Sequence, residues 1–549
     1  MRYIVGDILG IRVVRAWEFN STFPLRSIIP IYLTTGLPLL LLKVLSSACG
    51  YVIGWHSLTV AVRLTVTLLS LITDRTVMQL ASWQGRDAVS AVVVMATSYI
   101  SLVYYTRTFS NTLESFLYAS LLYAVTRRPQ KEIAGIPCAI TISMLIVVGV
   151  FNRPTFVVFA AVPYLWWLFS DGISRVIIKA VNSMLAAVPL SIVLIICDSV
   201  YFGRLDINNV NIADFGDIIS IVIKNLTVTP LNFVLYNTQF DNLAEHGIHP
   251  PFTHFVVNVP LLFNVLSIWF FYDVYWWCMT AVRSHNRKLL SVYWRQLILL
   301  MCCIVPVTLL SLFPHQEPRF LIPLLPVFAA LYAHKIMAGR RSMAFFWAVA
   351  NISGCMFYGC IHQGGVVRCL GHLQQTQSTG VDRHVIFWHT YTAPQHLLLL
   401  PGQSSRTQDP VSIGATSVTS LEGNSVKDLI HHLVLISSSL SSLHQEKPEV
   451  LIAASSSEHR YLVCMTAEAG VRLELYKSFW PHLSTEHPPQ IDDILCRAPP
   501  SSCRNNNTAA AATAAAADDD DEDDDFCDKT LIGRISFLTS LNLYRVILL

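Results

Sequence analysis

The sequence carries very little charge for its length. Only 13% of its 549 residues are charged, whereas 53% are hydrophobic, and the mean hydropathy is +0.49. Soluble domains carry about 25% charged residues, so a water-soluble fold of this size is excluded because it could not cover its surface with polar groups. The apolar runs are long enough to cross a bilayer. The sequence therefore predicts a polytopic membrane protein.

A strong net charge and paired cysteine motifs are also missing. The formal net charge of +2 implies neither nucleic acid nor a strongly acidic partner. The 13 cysteines show no CxxC pairs at zinc spacing, and Cys302 and Cys303 lie within an apolar run as small hydrophobic residues. His246 and His249 have a spacing that could hold a metal, but no carboxylate pattern accompanies them. The prediction is no metal and no cofactor.

The first residues lack the arrangement of a secretory signal. Ile4, Ile8 and Ile11 recur at helical spacing, and the polar residues Asp7 and Arg12 occupy positions between or beside them. This pattern predicts either a helix that lies on a membrane surface or an ordinary amphipathic helix.

Hydropathy predicts about ten membrane-spanning helices. The apolar segments are 28–45, 51–73, 88–105, 112–125, 133–151, 155–169, 176–201, 255–276, 291–313 and 319–334, with an eleventh at 343–361. Several are short for a bilayer of about 30 Å and would tilt, pair or enter only partway.

The short basic loops orient these helices. They are 127–131, 283–288 and 340–341. Such loops belong in the cytosol, which places the polar stretch 202–254 and the loop 314–318 in the lumen. Placing residues 1–26 in the lumen leaves one apolar segment too many before Arg127, so either one segment is re-entrant or the division is wrong.

The sequence predicts four regions. Residues 1–27 would be the remnant of a first luminal loop, and residues 28–361 a multi-helix transmembrane domain. Residues 362–505 would form a luminal region of mixed α/β or irregular structure. Residues 506–549 contain a run of alanine followed by aspartate and favour a disordered tail, because such a composition cannot bury a core.

Polar residues at the rims of membrane helices are the first places to look for chemistry, because charges there cost about 2.5–3.5 kcal/mol each. Arg107 lies between two spans, and Glu114 follows it in a pattern that favours a helix cap. Asp198 ends a long apolar helix, where an anion is disfavoured, so it is either a helix end or a functional carboxylate.

Two luminal loops hold the other polar clusters. Tyr236, Asn237, His246 and His249 offer hydrogen bonds suited to sugar hydroxyls. The short loop between the last spans carries His315, Glu317 and Arg319. Its arginine suits a lipid phosphate, because guanidinium makes forked, charge-assisted bonds. The alternative is a polar turn in which Glu317 and Arg319 pair with each other.

Together these clusters resemble the GT-C family of lipid-linked mannosyltransferases of the endoplasmic reticulum. The family's His-x-Glu-x-Arg-Phe loop corresponds to residues 315–320. The stretches Gly6–Gly10, Trp17–Phe19, Asn242–Gly247 and Trp388–Tyr391 are most similar to the branch that adds the fourth mannose to GPI anchor precursors.

The resemblance implies an all-α polytopic GT-C fold in the endoplasmic reticulum membrane and α-1,2 transfer of mannose. The donor would be dolichyl-phosphate-mannose and the acceptor the third mannose of a GPI glycolipid; no protein partner is implied. A luminal carboxylate would deprotonate the acceptor hydroxyl, and cations would stabilise the leaving phosphate. The phosphate would contact Arg319, His315 and Arg107. The sugar would contact Tyr236, Asn237, His246 and His249.

The catalytic base is not identified by this resemblance. The family's His-Pro-Asp-Glu motif, whose aspartate is the proposed base, is absent from this sequence, and Asp7 does not occupy its position. Asp198 and Glu317 remain as candidates. The expectation is that this polypeptide alone lacks transferase activity and that a longer product has it. The alternatives are a catalytically inactive family member or a membrane transporter, although no internal repeat supports a transporter.

Overall fold

The computed structural model describes most of the chain. The described residues are 2–11, 13, 16–127, 136–205, 226–239, 241–242, 247–283, 287–339, 341–376, 382–400, 416–441, 449–468, 470–489 and 536–548. They form two compact units. The first comprises Arg15–Cys355, and the second comprises Arg2–Val14 together with Met356–Leu549.

The first unit consists of helices. In chain order after a short N-terminal helix α1 (Arg2–Leu9), they are α2 (Ile29–Cys49), α3 (Trp55–Trp83), α4 (Ala88–Thr97), α5 (Ser110–Thr126), α6 (Ile136–Asn152), α7 (Phe156–Phe169), α8 (Ile173–Tyr201), α9 (Thr229–Asn237), α10 (His254–Phe263), α11 (Val265–Arg283), α12 (Arg287–Ser311), α13 (Pro318–Met337) and α14 (Arg341–Ile361). The last turn of α14 falls in the second unit.

Hydropathy correctly located the apolar helices. Within the described residues, six helices are long and apolar enough to cross a membrane, namely α2, α3, α8, the Val292–Ser311 part of α12, α13 and α14. Four shorter apolar helices accompany them: α4, α7, α10 and the Pro137–Asn152 part of α6. The polytopic helical architecture is confirmed. The predicted segment 255–276 is instead two helices, because the backbone turns at Asn264, whose φ is 47°.

Helix α13 has the most buried apolar window among these spans, with 78% of it inside the protein. Phe328 on α13 stacks on Phe263 of α10 with ring centroids 3.9 Å apart. Helix α13 therefore lies at the centre of the helical unit.

Helix α2 begins beside the end of α8, where the Ile28 N–H donates to the Asp198 carboxylate at 3.1 Å. Helices α3 and α5 pack against each other, and Thr76 and Gln79 of α3 donate to the carbonyls of Ala119 and Thr126, respectively.

The second unit is built on a five-stranded sheet. Its strands are β1 (Arg383–Trp388), β2 (Thr416–Glu422), β3 (Glu449–Ser455), β4 (Val471–Phe479) and β5 (Leu541–Leu548), in the order β2-β1-β3-β5-β4. The first three strands are parallel, whereas β5 is antiparallel to both β3 and β4. Helices α15 (Gly364–Gln375), α16 (Val426–Ser441) and α17 (His459–Glu468) complete the unit. Leu429 of α16 and Leu462 of α17 belong to its buried core.

The N-terminal helix fits one of its two predicted alternatives, whereas the C-terminal region differs from the prediction. In helix α1 the apolar side chains of Ile4, Val5 and Ile8 are buried, as in an ordinary amphipathic helix. The region predicted to be a disordered tail includes β5, which pairs with both β3 and β4 in the sheet. Residues 506–535 of that region lie outside the described residues.

Candidate functional site

The loop between α12 and α13 forms a hydrogen-bonded triad. The Glu317 carboxylate accepts from His315 Nε2 at 2.8 Å and from Arg319 Nη2 at 2.7 Å, and Arg319 Nε pairs with its other oxygen. Burial raises the pKa of Glu317, but the bonds from His315 and Arg319 outweigh it and lower the pKa to about 2. Glu317 therefore stays ionised and orients both neighbours. The Arg319 side chain remains 44% exposed.

A second loop is joined to this one by four hydrogen bonds. The His249 backbone N–H donates to the Pro314 carbonyl at 2.8 Å, and His249 Nδ1 accepts from the Gln316 N–H at 3.3 Å. His315 Nδ1 lies 3.3 Å from the Gly247 carbonyl oxygen, and Gln316 Oε1 accepts from the His254 N–H at 3.0 Å. His249 and His315, predicted for sugar and phosphate respectively, are thus neighbours with ring centroids 5.9 Å apart.

A buried ion pair lies behind the first loop. Arg153, between α6 and α7, approaches Glu114 with Nε 3.5 Å from Oε2, and the two side chains are 8% and 1% exposed. The Arg153 guanidinium also lies over the Phe320 ring at 5.2 Å. Thr155 donates to Glu114 at 2.9 Å, and Asn111 donates to it at 3.4 Å.

Glu114 therefore does not complete a helix cap as its position in the sequence suggests. Helix α5 is preceded by Phe109, which makes no side-chain cap bond. The carboxylate turns inward because Arg153, Thr155 and Asn111 offer it a charge and two donors in a buried setting.

A third arginine–glutamate pair lies near the first two. Arg26 Nη2 lies 2.9 Å from Glu18 Oε1, and its guanidinium lies 5.0 Å from the centroid of the Phe233 ring. Burial lowers the pKa of Arg153 to about 10, and the nearby charges of Arg26 and Arg319 add to this effect. Burial opposes ionisation of Glu18, but attraction to the same three arginines leaves its pKa below the ordinary value. We call these three pairs the Arg–Glu cluster: Glu18–Arg26, Glu114–Arg153 and Glu317–Arg319.

Asp198 is not a member of this cluster. It is fully buried, and its two oxygens accept from Ser27 Oγ at 3.0 Å, the Ile28 N–H at 3.1 Å and Thr229 Oγ1 at 2.9 Å. These bonds tie the end of α8 to the starts of α2 and α9. The geometry leaves Asp198 as an anchor of three helices, since its carboxylate is shielded from any ligand.

Three further predicted residues, Tyr236, Asn237 and Arg107, fall within the described structure. Tyr236 packs on Trp17, with ring centroids 5.1 Å apart, next to Glu18. Asn237 Nδ2 donates to the Phe233 carbonyl at 2.8 Å. Arg107 is half-buried in the turn before α5, where its N–H donates to the Tyr104 carbonyl at 3.0 Å. His246 lies outside the described residues.

Sequence reasoning missed Glu18, Arg26 and Arg153 as site residues. The partner of Arg153 is Glu114, which is distant in the sequence. Glu18 and Arg26 pair with each other across eight positions, in a segment without a charge pattern that predicts the pair. One signal was available for Arg153, which stands beside a proline between two apolar helices as Arg319 does. Within the described residues, the histidines of the two loops do not assemble into a metal-ligand group.

The chain is similar to known mannosyltransferases. The profile of the Alg9-like mannosyltransferase family matches residues 4–400. GPI alpha-1,2-mannosyltransferase 4 of Homo sapiens is 34% identical over 442 residues, which is 75% of this chain and 72% of that protein. GPI mannosyltransferase 4 of Drosophila melanogaster is 28% identical over 89% of this chain and 82% of that protein.

One solved structure is also similar. It is ArnT from Cupriavidus metallidurans bound to undecaprenyl phosphate, with a TM-score of 0.43 and 11% identity. The similarity covers 87% of this chain and 95% of that chain.

Proposed function

The chain belongs to the Alg9-like mannosyltransferase family, and from this premise we propose that it transfers mannose to a GPI anchor precursor. The observation that carries the proposal is the 34% identity to GPI alpha-1,2-mannosyltransferase 4 over most of both chains. The enzyme is a glycosyltransferase embedded in a membrane by several helices. No finding favours a transporter or an inactive family member over this function.

The substrates follow from the same premise. The donor is a lipid-linked mannose, dolichyl-phosphate-mannose, and the acceptor is the third mannose of the GPI glycolipid, which receives an α-1,2 bond. The reaction takes place at the luminal side of the endoplasmic reticulum membrane. Both substrates are lipids, which suits a polar cluster at one end of apolar helices.

Arg319 is the residue that contacts the donor phosphate. The phosphate gains negative charge as the bond to mannose breaks, so a nearby guanidinium stabilises the transition state more than the ground state. Arg319 is the exposed arginine of the Arg–Glu cluster, and only some of its donors are bound to Glu317. Arg26 and Arg153 are buried and are each paired with a glutamate.

Glu317 acts as a positioning residue and not as the base. A carboxylate with a pKa of about 2 takes a proton from a sugar hydroxyl poorly, because an efficient base has a pKa near the working pH. Its bonds to His315 and Arg319 instead hold both side chains in place. His249 of the second loop lies beside His315 and would border the mannose. Tyr236 and Asn237 of α9 would lie near the same sugar.

The proposal is tested with two measurements on the full chain. The first is binding of dolichyl-phosphate-mannose to the purified protein by native mass spectrometry. The second is the appearance of a fourth mannose on GPI precursors in cells that lack the endogenous enzyme. Absence of both donor binding and transfer by the wild-type chain would sink the proposed function.

Variants of one residue test the role of Arg319. Removing one donor from a developing anion typically costs about 100- to 1,000-fold in rate, so we expect Arg319→Gln to lose that much activity or a matching share of donor affinity. Arg319→Lys should lose less because the charge remains. Arg175→Gln is the matched control, since Arg175 is exposed at the other end of α8. Equal losses in both glutamine variants would argue against a specific phosphate contact.

A further inference from the structure

The carboxyl edge of the parallel strands in the second unit carries a cluster that the proposed transfer reaction does not use. Strand β1 ends at Trp388 and is followed at once by His389. Strand β3 ends at Ser455 and is followed by a single turn that ends at Glu458. The two strands are adjacent and parallel, so both side chains emerge at the same edge, where open α/β sheets commonly bind ligands.

A third side chain completes the group. His487 Nδ1 lies 3.1 Å from Glu458 Oε1, and His389 Nδ1 lies 3.8 Å from the same oxygen. The two imidazole rings are nearly parallel, with centroids 3.8 Å apart. All three donor atoms lie within 4.8 Å of one another. The side chains are 11%, 18% and 28% exposed for His389, Glu458 and His487, so the group is largely shielded but reachable.

These distances suit a small divalent ion. Ligand atoms at 2.0–2.1 Å from a tetrahedral zinc ion lie about 3.3 Å from one another, and the measured separations of 3.1 and 3.8 Å fall on either side of that value. A hydrogen bond alone explains the arrangement less well, because 3.8 Å is too long for one. Among the described residues, His389 Nδ1 is buried without a hydrogen-bond partner.

The surrounding structure holds the ligands in place. His389 has a φ of 52°, a left-handed conformation that a residue with a side chain seldom adopts unless its neighbours impose it. Its N–H donates to the Glu422 carbonyl at 2.9 Å, and its ring stacks on buried Trp388. Ser457 Oγ donates to the His487 carbonyl at 2.9 Å, which fastens the third ligand to the turn after β3.

We propose that His389, Glu458 and His487 bind a divalent transition-metal ion of the zinc class. Two imidazoles and one carboxylate are ligands that zinc prefers, whereas calcium and magnesium favour oxygen alone. Three protein ligands leave a coordination position open to water or to a polar ligand from solution. The site lies wholly within the second unit and is independent of the mannose-transfer proposal.

The test uses the full chain, free of affinity tags and stripped of metal with a chelator. Zinc is then added, and the unbound zinc is removed by dialysis. The zinc that stays bound to the protein is measured by elemental mass spectrometry. We expect the wild-type chain to keep one equivalent more than Glu458→Gln and His487→Gln. Competition with a fluorescent zinc indicator should show an affinity loss of at least about 10-fold in both variants, because removing even a hydrogen-bond partner of a metal ligand costs that much.

The control is His431→Gln, which removes an exposed histidine of α16 in the same unit and should bind like the wild type. Equal zinc content in the wild type and both ligand variants would overturn the proposal. If a ligand variant does not fold, cobalt(II) absorption of the wild-type chain decides. Bands of a nitrogen–oxygen site support the proposal, and either thiolate-to-cobalt bands alone or no bound cobalt overturns it.

Discussion

The buried Glu114–Arg153 pair allows a quantitative test of the site's construction. Replacing Arg153 by methionine removes a guanidinium that lies 3.5 Å from a carboxylate of which only 1% is exposed. At an effective dielectric constant of about 20, two unit charges at that separation attract by about 5 kcal/mol. Breaking a buried pair on one side costs about 3–5 kcal/mol in measured cases, because one charge stays buried without compensation.

Glu114 keeps two hydrogen bonds in the Arg153→Met protein, from Thr155 and Asn111. We therefore expect a loss in the free energy of unfolding near the lower end of that range, about 3 kcal/mol. Glu114→Gln alone should also destabilise, because Arg153 would lose its counter-charge. The double variant should be less destabilised than the sum of the two, since removing both members of a buried pair is often close to neutral.

The assay is equilibrium unfolding of the purified protein in mixed micelles, arranged as a double-mutant cycle. Arg175→Met is the control, because Arg175 is exposed on α8 and its removal does not leave a buried carboxylate without a counter-charge. A coupling energy of at least about 2 kcal/mol is expected. Additive losses within about 0.5 kcal/mol, the range seen for independent sites, would refute the claim that the two residues stabilise each other.

Two single carboxylates contribute to stability in different ways. Asp198→Asn should lower the free energy of unfolding by about 1.5–3 kcal/mol, because a buried carboxylate that accepts three hydrogen bonds loses its charge. The folded fraction of this variant should keep its kcat, and a lost kcat in well-folded protein would contradict the anchoring role. Glu317 has a pKa of about 2, below the ordinary 4.5, so its contribution of at most about 3 kcal/mol is complete above pH 4.5 and disappears as the pH falls towards 2. Thermal melts of the wild type and Glu317→Gln should converge over that interval, and a pH-independent difference would contradict it.

The helices were predictable because their signal is local. An apolar run of sufficient length reads as a span whatever it packs against, and each predicted segment overlaps a helix of the structure. The extent of α10 and α11 was not predictable, because the break depends on the conformation of one residue, Asn264, within a continuous apolar run.

The site was predictable only in part. The triad His315, Glu317 and Arg319 lies within five residues, so its pairing could be foreseen as a polar turn. That pairing is compatible with the proposed phosphate role of Arg319. The Glu114–Arg153 pair spans 39 positions, and no spacing rule connects such residues. Strand β5 was missed because its neighbours β3 and β4 lie more than 60 residues earlier in the chain, where only tertiary structure reveals the pairing.

Strand β5 has a consequence for the order of events during synthesis. Strand β4 ends at Phe479 and β5 begins at Leu541, so the ribosome adds about 60 residues, in about 3–12 s at 5–20 residues per second, before the gap in the sheet can be filled. Until then the facing edges of β3 and β4 expose unpaired backbone groups, which invite pairing with other chains. During synthesis the second unit thus has an interval of seconds in which these strand edges are open to pairing with other chains.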